Sequence, residues 1–260
     1  MNHKEVLKDM SEANIELFKD GKRLDGRKED ELRPIEITAN VLNMANGSCL
    51  VKWGKNKIVA GVYGPKECIP KHSSDLFKAV VKCSYRMAPF CSLEGRDKPG
   101  PNRRSIELSK VISNTFEGVV FTEHFPKTEI DVFIEVLQSD GGTRCASITA
   151  ASVALAHAGM PMRDMIVGIA CGKAGGKIIL DLSKEEDNFG ESDIPMAIGV
   201  NSKLFYLLQL DGRVTRAELE QALDLGLKTV DTIYKKEREA LEKVYSGEID
   251  KNTECILNLD

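Results

Sequence analysis

A chain of 260 residues, 42% hydrophobic and 29% charged, has the composition of a soluble globular protein with room for one large core or two modest ones. No run of about twenty apolar residues occurs, so no membrane span is expected. A formal charge of −4 excludes a global pull toward nucleic acid, so any polyanion must be held by local clusters.

In chain order, the opening MNHKEVLKDMSEANIELFKDGKR is mixed-charge and amphipathic and lacks an apolar h-region. It predicts a helix over residues 4–20 rather than a secretion signal. The charged segment KRLDGRKEDELRP that follows is expected to run over the surface. Four strands are predicted from β-branched and apolar runs broken by Gly, Asn or Pro: IEITANVL, GSCLVKWG, NKIVAGVYG and AVVKCSYRMAP. PKECIPKHSSDL and SLEGRDKPGPNRR read as loops, the second carrying Arg96 and Lys98. Helical spacing begins at Arg103, with Ile106, Val111, Ile112, Thr115 and Phe116 in one buried stripe and Leu108 beside it. A strand over 129–138 and a helix from about Thr143 follow, with a boundary near Pro161.

The second half repeats the plan. IVGIACG, a GKAGG turn and KIILDLS predict a hairpin. DIPMAIGV and KLFYLLQL predict two more strands, with a DG turn after the latter. A long amphipathic helix closes the series, and Thr215 with Glu218 matches a capping box at its start. Strands followed by helices, twice over, predict two related α/β lobes over residues 21–158 and 159–245. They are flanked by the N-terminal helix, 1–20, and a tail, 246–260, to which no element is assigned.

The seven cysteines, Cys49, Cys68, Cys83, Cys91, Cys145, Cys171 and Cys255, are odd in number and lack a CxxC pair. That pattern argues against a disulfide framework or a zinc cluster and predicts reduced, cytoplasmic thiols, several of them buried. His3, His72, His124 and His157 have no metal-ligand spacing. His157 is expected to be packed or hydrogen-bonded, and Trp53 to pack against a sheet.

Three stretches carry chemistry. In SDGGTR, two glycines between a strand and a helix let backbone N–H groups converge, with the Thr143 hydroxyl and the Arg144 fork beside them. The same hexapeptide also reads as a glycine turn with Thr143 capping the helix. In RDKPGPNRRSIELSK, Arg103 and Arg104 stand at a helix start, where they oppose the dipole unless an anion compensates. Local pairing with Glu107 is the alternative. The acidic loop LDLSKEEDNFGESD carries Asp181, Glu185, Glu186, Asp187, Glu191 and Asp193. Asp187 and Asp193 flank a glycine turn, where carboxylates can hold Mg²⁺ or donate a proton; a merely solvated loop is the alternative. Together these are the parts needed to move a phosphoryl group, and no GxxxxGK[ST] or strand-linked GxGxxG is present.

RLDGRKEDELRPIEI, YGPKE, PGPNRRSIELSKVI, SDGGTRCASITAASVALAHAGMPMRD and LDLSKEEDNFGESDIPMAI occur in that order over roughly residues 20–240. A chain carrying them resembles the RNase PH family of phosphorolytic 3′-to-5′ exoribonucleases, and within it the catalytic RNase-PH-type subunits of archaeal exosomes. The resemblance implies an α/β (α+β) RNase PH fold of two βαβα-type lobes, the first like ribosomal-protein S5 domain 2. It implies inorganic phosphate as co-substrate, held by Gly141, Gly142, Thr143 and Arg144 with Arg104. Arg103 and Arg104 would grip the terminal phosphates of the RNA. Asp187 would be the general acid, and Asp193 the second carboxylate, binding Mg²⁺ with it. Lys71 and His72 would line an RNA entry channel. The implied partners are single-stranded RNA 3′ ends, an inactive RNase-PH-type paralogue in a hexameric ring (a trimer of heterodimers), and S1/KH-type RNA-binding cap subunits. A homohexamer of bacterial RNase PH type, trimming tRNA 3′ ends, and a non-catalytic RNA-binding ring subunit are the rival readings. An ordinary aspartate titrates near 3.9 and is a poor acid at neutral pH. The chemistry therefore requires a raised Asp187 or a metal-bound water as proton source.

Overall fold

The computed structural model describes residues 17–19, 22–92 and 100–246. The bulk of the helix expected at 4–20, the loop residues Arg96 and Lys98, and the tail beyond Ser246 lie outside the described residues. At the end of that expected helix, Phe18–Lys19 is instead a short strand, β1, paired antiparallel with β2, Lys22–Arg23.

The first sheet has the order β3 (Ile35–Ala39), β4 (Gly47–Trp53), β5 (Asn56–Glu67), β7 (Thr128–Gln138), β6 (Val80–Met87). Its pairs are antiparallel except β6 with β7, which is parallel and needs a crossover. Helix α1, Arg103–Glu117, supplies it. It also covers the outer edge of β6: the Cys83 and Tyr85 N–H groups donate to Ser113 Oγ and Ser109 Oγ at 2.8 and 2.9 Å. Serines one helical turn apart thus satisfy an edge that would otherwise be open to pairing. The buried stripe of α1 is Ser105, Leu108, Ile112, Thr115 and Phe116. Ile106, expected inside, is 61% exposed, because the true stripe starts one residue earlier, at the serine that closes the capping box with Asn102.

Helix α2, Thr143–His157, lies between this sheet and a second one, β11-β10-β8-β9. The second sheet comprises β8 (Ile166–Ala174), β9 (Lys177–Leu180), β10 (Ser192–Gly199) and β11 (Phe205–Leu208), with β12 (Asp211–Gly212) pairing beside β10. A helix covered on two sides must be small and apolar all round, and every residue from Cys145 to Leu155 is buried. Each sheet meets it through a glycine. A Cβ on Gly47 would come within 2.2 Å of the Ala154 carbonyl oxygen, and one on Gly168 within 2.2 Å of that of Cys145. Both sheets and α2 therefore share one core. His157, at the end of α2, accepts a hydrogen bond at Nδ1 from the Ser48 N–H. The six described cysteines are free and buried.

The stretch read as an acidic loop contains a short helix, α3, Lys184–Phe189, opened by a capping box between Ser183 and Glu186. The long helix α4, Arg216–Tyr245, starts at Thr215 with the expected box to Glu218 and packs on β3, β8 and β9. Its buried face includes Glu237, fully buried, with neither carboxyl oxygen partnered among the described residues. Burial, with Asp164 nearby, holds this carboxyl well above the usual range. A carboxyl that binds its proton more tightly when folded contributes stability below its unfolded pKa and loses it as pH rises toward the folded one. Glu237→Met, which fills the same space without the buried acid, should therefore stabilise the protein by about 1–3 kcal/mol. The gain in thermal unfolding should be larger at pH 8 than at pH 4.

Candidate active site

The segment KRLDGRKEDELRP runs over the surface at most of its positions, as expected, but Arg23, Arg27 and Arg33 are buried. Its arginines turn inward because each finds an acceptor set that a bare charge would lack. Arg23 is buried, donating from Nε and Nη2 to Glu186 at 2.6 and 2.5 Å, and to the Leu180 and Asp181 carbonyls. Arg27 pairs with Asp25 and reaches Asp181. Arg33 forms the hub: its backbone N–H and Nε donate to Asp181 Oδ2, and its Nη2 to Oδ1 at 2.6 Å. Trp53 Nε1 donates to the same carboxylate at 2.9 Å. Trp53 is thus a positioning donor as well as core. Burial raises the Asp181 carboxyl, but the charge of Arg33 and the hydrogen bonds from Arg33 and Trp53 together outweigh it and hold the carboxyl below the usual range.

The same Arg33 grips the SDGGTR turn through the carbonyls of Asp140 and Gly141. Buried Asn56 clamps it from the other side, donating to the Gly141 carbonyl at 2.7 Å and accepting from the Asp140 N–H at 2.6 Å. With its carbonyls tied back, the turn leads through Gly141 and Gly142, φ +73° and +65°, into α2. Side chains are excluded at the first: a Cβ on Gly141 would meet the Ser183 carbonyl carbon at 2.6 Å. Thr143 is the first helical residue, not the cap. Its Oγ1 lies 3.0 Å from the Tyr85 phenol oxygen. Among the described residues no side chain caps the first turn of α2, which leaves its leading N–H groups and partial positive charge for an anion.

Two arginines face this terminus. Arg144 donates from Nη1 to Gln209 Oε1, while its buried Nε has no partner among the described residues. Arg104, from the first turn of α1, acts on the Tyr85 phenol and on both Asp187 and Asp193. Neither Arg103 nor Arg104 forms an ion pair with Glu107 among the described residues, so the two are not consumed locally.

Five of the six acidic residues of the 181–193 stretch divide by environment. Asp181 and Glu186 are tied to arginines, and Glu191 pairs with Lys173 at 3.0 Å. Among the described residues, Asp187 and Asp193 have no such ion-pair partner. Burial pushes the Asp187 carboxyl above its usual range, with Asp211 adding repulsion against the pull of Arg104 and Arg144. Asp193 is pushed up to about 7, first by burial and then by Asp187. Asp211 sits directly across from Asp193 in the β10–β12 register, and like charges in that position disfavour each other's ionisation. This third carboxylate was not expected from the sequence; it looked like the first half of a DG turn.

No group of three or more His, Cys, Asp or Glu side chains forms a metal cage among the described residues. Asp187 and Asp193 nevertheless offer the one or two carboxylates that Mg²⁺ takes when phosphate and water supply its remaining oxygens. Lys71 and His72 are not brought to this site. They lie on an exposed 3₁₀ turn, with Lys71 paired to Glu67 at 2.8 Å. That turn sits at the Thr128 end of β7, whereas the glycine turn follows its Gln138 end, roughly 35 Å away along the strand.

A glycine-led helix terminus without a side-chain cap, two arginines and a pair of carboxylates with raised proton affinity are the equipment of a protein that handles phosphate-bearing substrates. Residues 31–161 match the model of the 3′ exoribonuclease family, domain 1, and residues 164–229 that of domain 2. The chain belongs to this family, the RNase PH family. It is 54% identical to the exosome complex component Rrp41 of Thermoplasma acidophilum, over 92% of this chain and 96% of that one. It is 51% identical to that of Archaeoglobus fulgidus, over 95% and 98%. Among solved structures it is similar to the Archaeoglobus fulgidus exosome with RNA bound to the active site, with a TM-score of 0.75 and 27% identity over 89% of this chain and 99% of that one. It is also similar to rice Rrp46, with a TM-score of 0.77 and 26% identity over 85% and 100%.

Arg33→Met leaves the Asp181 carboxylate buried with its main cation gone. The expected cost is about 3–5 kcal/mol in unfolding free energy, measured by denaturant titration at pH 7.

Proposed function

We propose that the chain is a phosphate-dependent 3′-to-5′ exoribonuclease that shortens single-stranded RNA to nucleoside 5′-diphosphates, as the catalytic RNase-PH-type subunit of an archaeal exosome. One observation carries the reading. Arg104, Arg144, Asp187 and Asp193, drawn from α1, α2, α3 and β10, act on one another electrostatically at an uncapped helix terminus. The family and the named relatives support the exonuclease half of this reading, and the anion-ready terminus supports phosphate as the nucleophile.

Orthophosphate lodges against the N–H groups of the α2 first turn, the Thr143 hydroxyl and Arg144, with Arg104 opposite. A phosphate oxygen attacks the last phosphodiester phosphorus as the bond to the 3′ oxygen of the preceding nucleotide breaks. The two arginines offset the repulsion between the two phosphates. The released 3′ oxygen takes a proton from the Asp187–Asp193 pair. Asp193, pushed up to about 7, can carry a proton near neutral pH where an ordinary aspartate could not, and Asp187 beside it is raised by burial as well. The pair titrates jointly, and Asp187 is its member nearer the leaving group in this reading. When bound, Mg²⁺ would take its protein ligands from Asp187 and Asp193 and neutralise charge on the crowded phosphates.

Arg103, exposed beside Arg104, would hold the RNA backbone, and Lys71 and His72, a strand-length away, would meet the chain farther from its 3′ end. A ring with RNase-PH-type partners would place the basic elements around a common pore, with S1/KH-type caps on one face. The six buried, unpaired cysteines suit a reducing, cytoplasmic setting.

The test combines the chain, its RNase-PH-type paralogue and poly(A), with and without phosphate. Nucleoside diphosphates should form only with phosphate; monophosphates formed without it would mean that water is the nucleophile. Asp187→Ala should lower the rate at least 10²-fold with RNA affinity nearly unchanged.

A further inference from the structure

Tyr85 lies near the end of β6 and is 1% exposed, so its ring belongs to the core. Its phenol oxygen meets a member of the proposed phosphate site. Thr143 Oγ1 lies 3.0 Å away, and the Arg104 side chain acts on the same oxygen. Hydrogen-bonding capacity fixes the direction of this chain of groups. Thr143 Oγ1 is the phenol's hydrogen-bond partner among the described residues, so a phenol that did not donate to it would leave its proton buried and unpaired. Burial raises the phenol's pKa despite both neighbours, so the phenol keeps its single proton at neutral pH. That proton is left for Thr143 Oγ1. Thr143 then spends a lone pair on Tyr85 and keeps its own proton to offer outward, and no other partner of its hydroxyl occurs among the described residues.

We propose that Tyr85 is a positioning residue that turns the Thr143 hydroxyl outward as a donor, so that the cradle selects a tetrahedral oxyanion whose facing oxygen is a pure acceptor, as in phosphate or arsenate. The relay runs from Tyr85 to Thr143, with the positive charge of Arg104 acting on the phenol. It rests on the phosphate reading given above and deepens it.

The experiment uses the assembled ring with its paralogue and poly(A), varying phosphate and RNA separately. Tyr85→Phe keeps the ring in the core and should melt within a few degrees of the wild type. It should raise the KM for phosphate about tenfold, the worth of one such hydrogen bond, with the KM for RNA unchanged. Thr143→Val should do the same, and the double variant should be no worse than either single one, because both break one relay. Thr143→Ser, which keeps the hydroxyl, should retain the wild-type KM for phosphate. An unchanged KM in Tyr85→Phe, losses that multiply in the double variant, or a loss in Thr143→Ser would each overturn the relay. An unchanged KM for phosphate in Thr143→Val would overturn the cradle itself, and with it the proposed function.

Discussion

The buried ion pair between Arg33 and Asp181 is the constraint on which the rest of the site depends. Arg33 precedes the first strand of one sheet, and Asp181 follows the hairpin of the other. Their contact, reinforced by Trp53 and Arg27, fixes where two distant segments meet. Asp181 adopts φ +55°, a conformation uncommon for a side chain other than glycine, and its carboxylate is saturated with donors in return. A buried pair of this kind adds little net stability over a hydrophobic substitute, but a half-pair is costly. Its value here is geometric. One guanidinium contacts both Asp181, at the head of the acidic segment, and the carbonyls of the glycine turn, which ties the turn to the segment that carries Asp187 and Asp193.

The same logic explains how one acidic stretch serves two purposes. Glu186 and Asp187 are adjacent, yet their proton affinities move in opposite directions. Burial alone would raise both. For Glu186 the hydrogen bonds and charge of Arg23 outweigh it, and the carboxyl ends below its usual range. For Asp187 the arginines stand off and Asp211 repels, so burial prevails. Structural and chemical carboxylates are therefore distinguished by partner rather than by sequence position, and pairs driven apart in this way mark where acid–base work is done.

Much of this architecture is legible in the sequence, because local rules decide it. The strands of the first lobe, the hairpin after residue 165 and the capping box of the last helix follow from alternation, glycine turns and the Thr215–Glu218 spacing. SDGGTR was legible too, since two successive glycines before a hydroxyl and an arginine restrict the backbone strongly. What escaped depended on long-range partners. KRLDGRKEDELRP has the composition of a solvated turn, and only the acceptors supplied from residues 180–186 draw its arginines inside. Asp211 became a site neighbour through strand register, and Tyr85 through a phenol contact 58 residues along the chain. Ile106 shows the limit of periodicity itself, since a one-residue shift of the helical stripe exchanges an inside position for an outside one.

The most direct measurement is a crystal structure of the assembled protein soaked in phosphate or arsenate, at concentrations stepped down to the KM. One tetrahedral anion is expected at the first turn of α2, touching Thr143 and Arg144, with Arg104 on its far side and the Asp187–Asp193 pair across the cleft. A vacant helix terminus at saturating anion, or an anion bound elsewhere with Arg104 and Asp187 turned away from each other, would contradict the account.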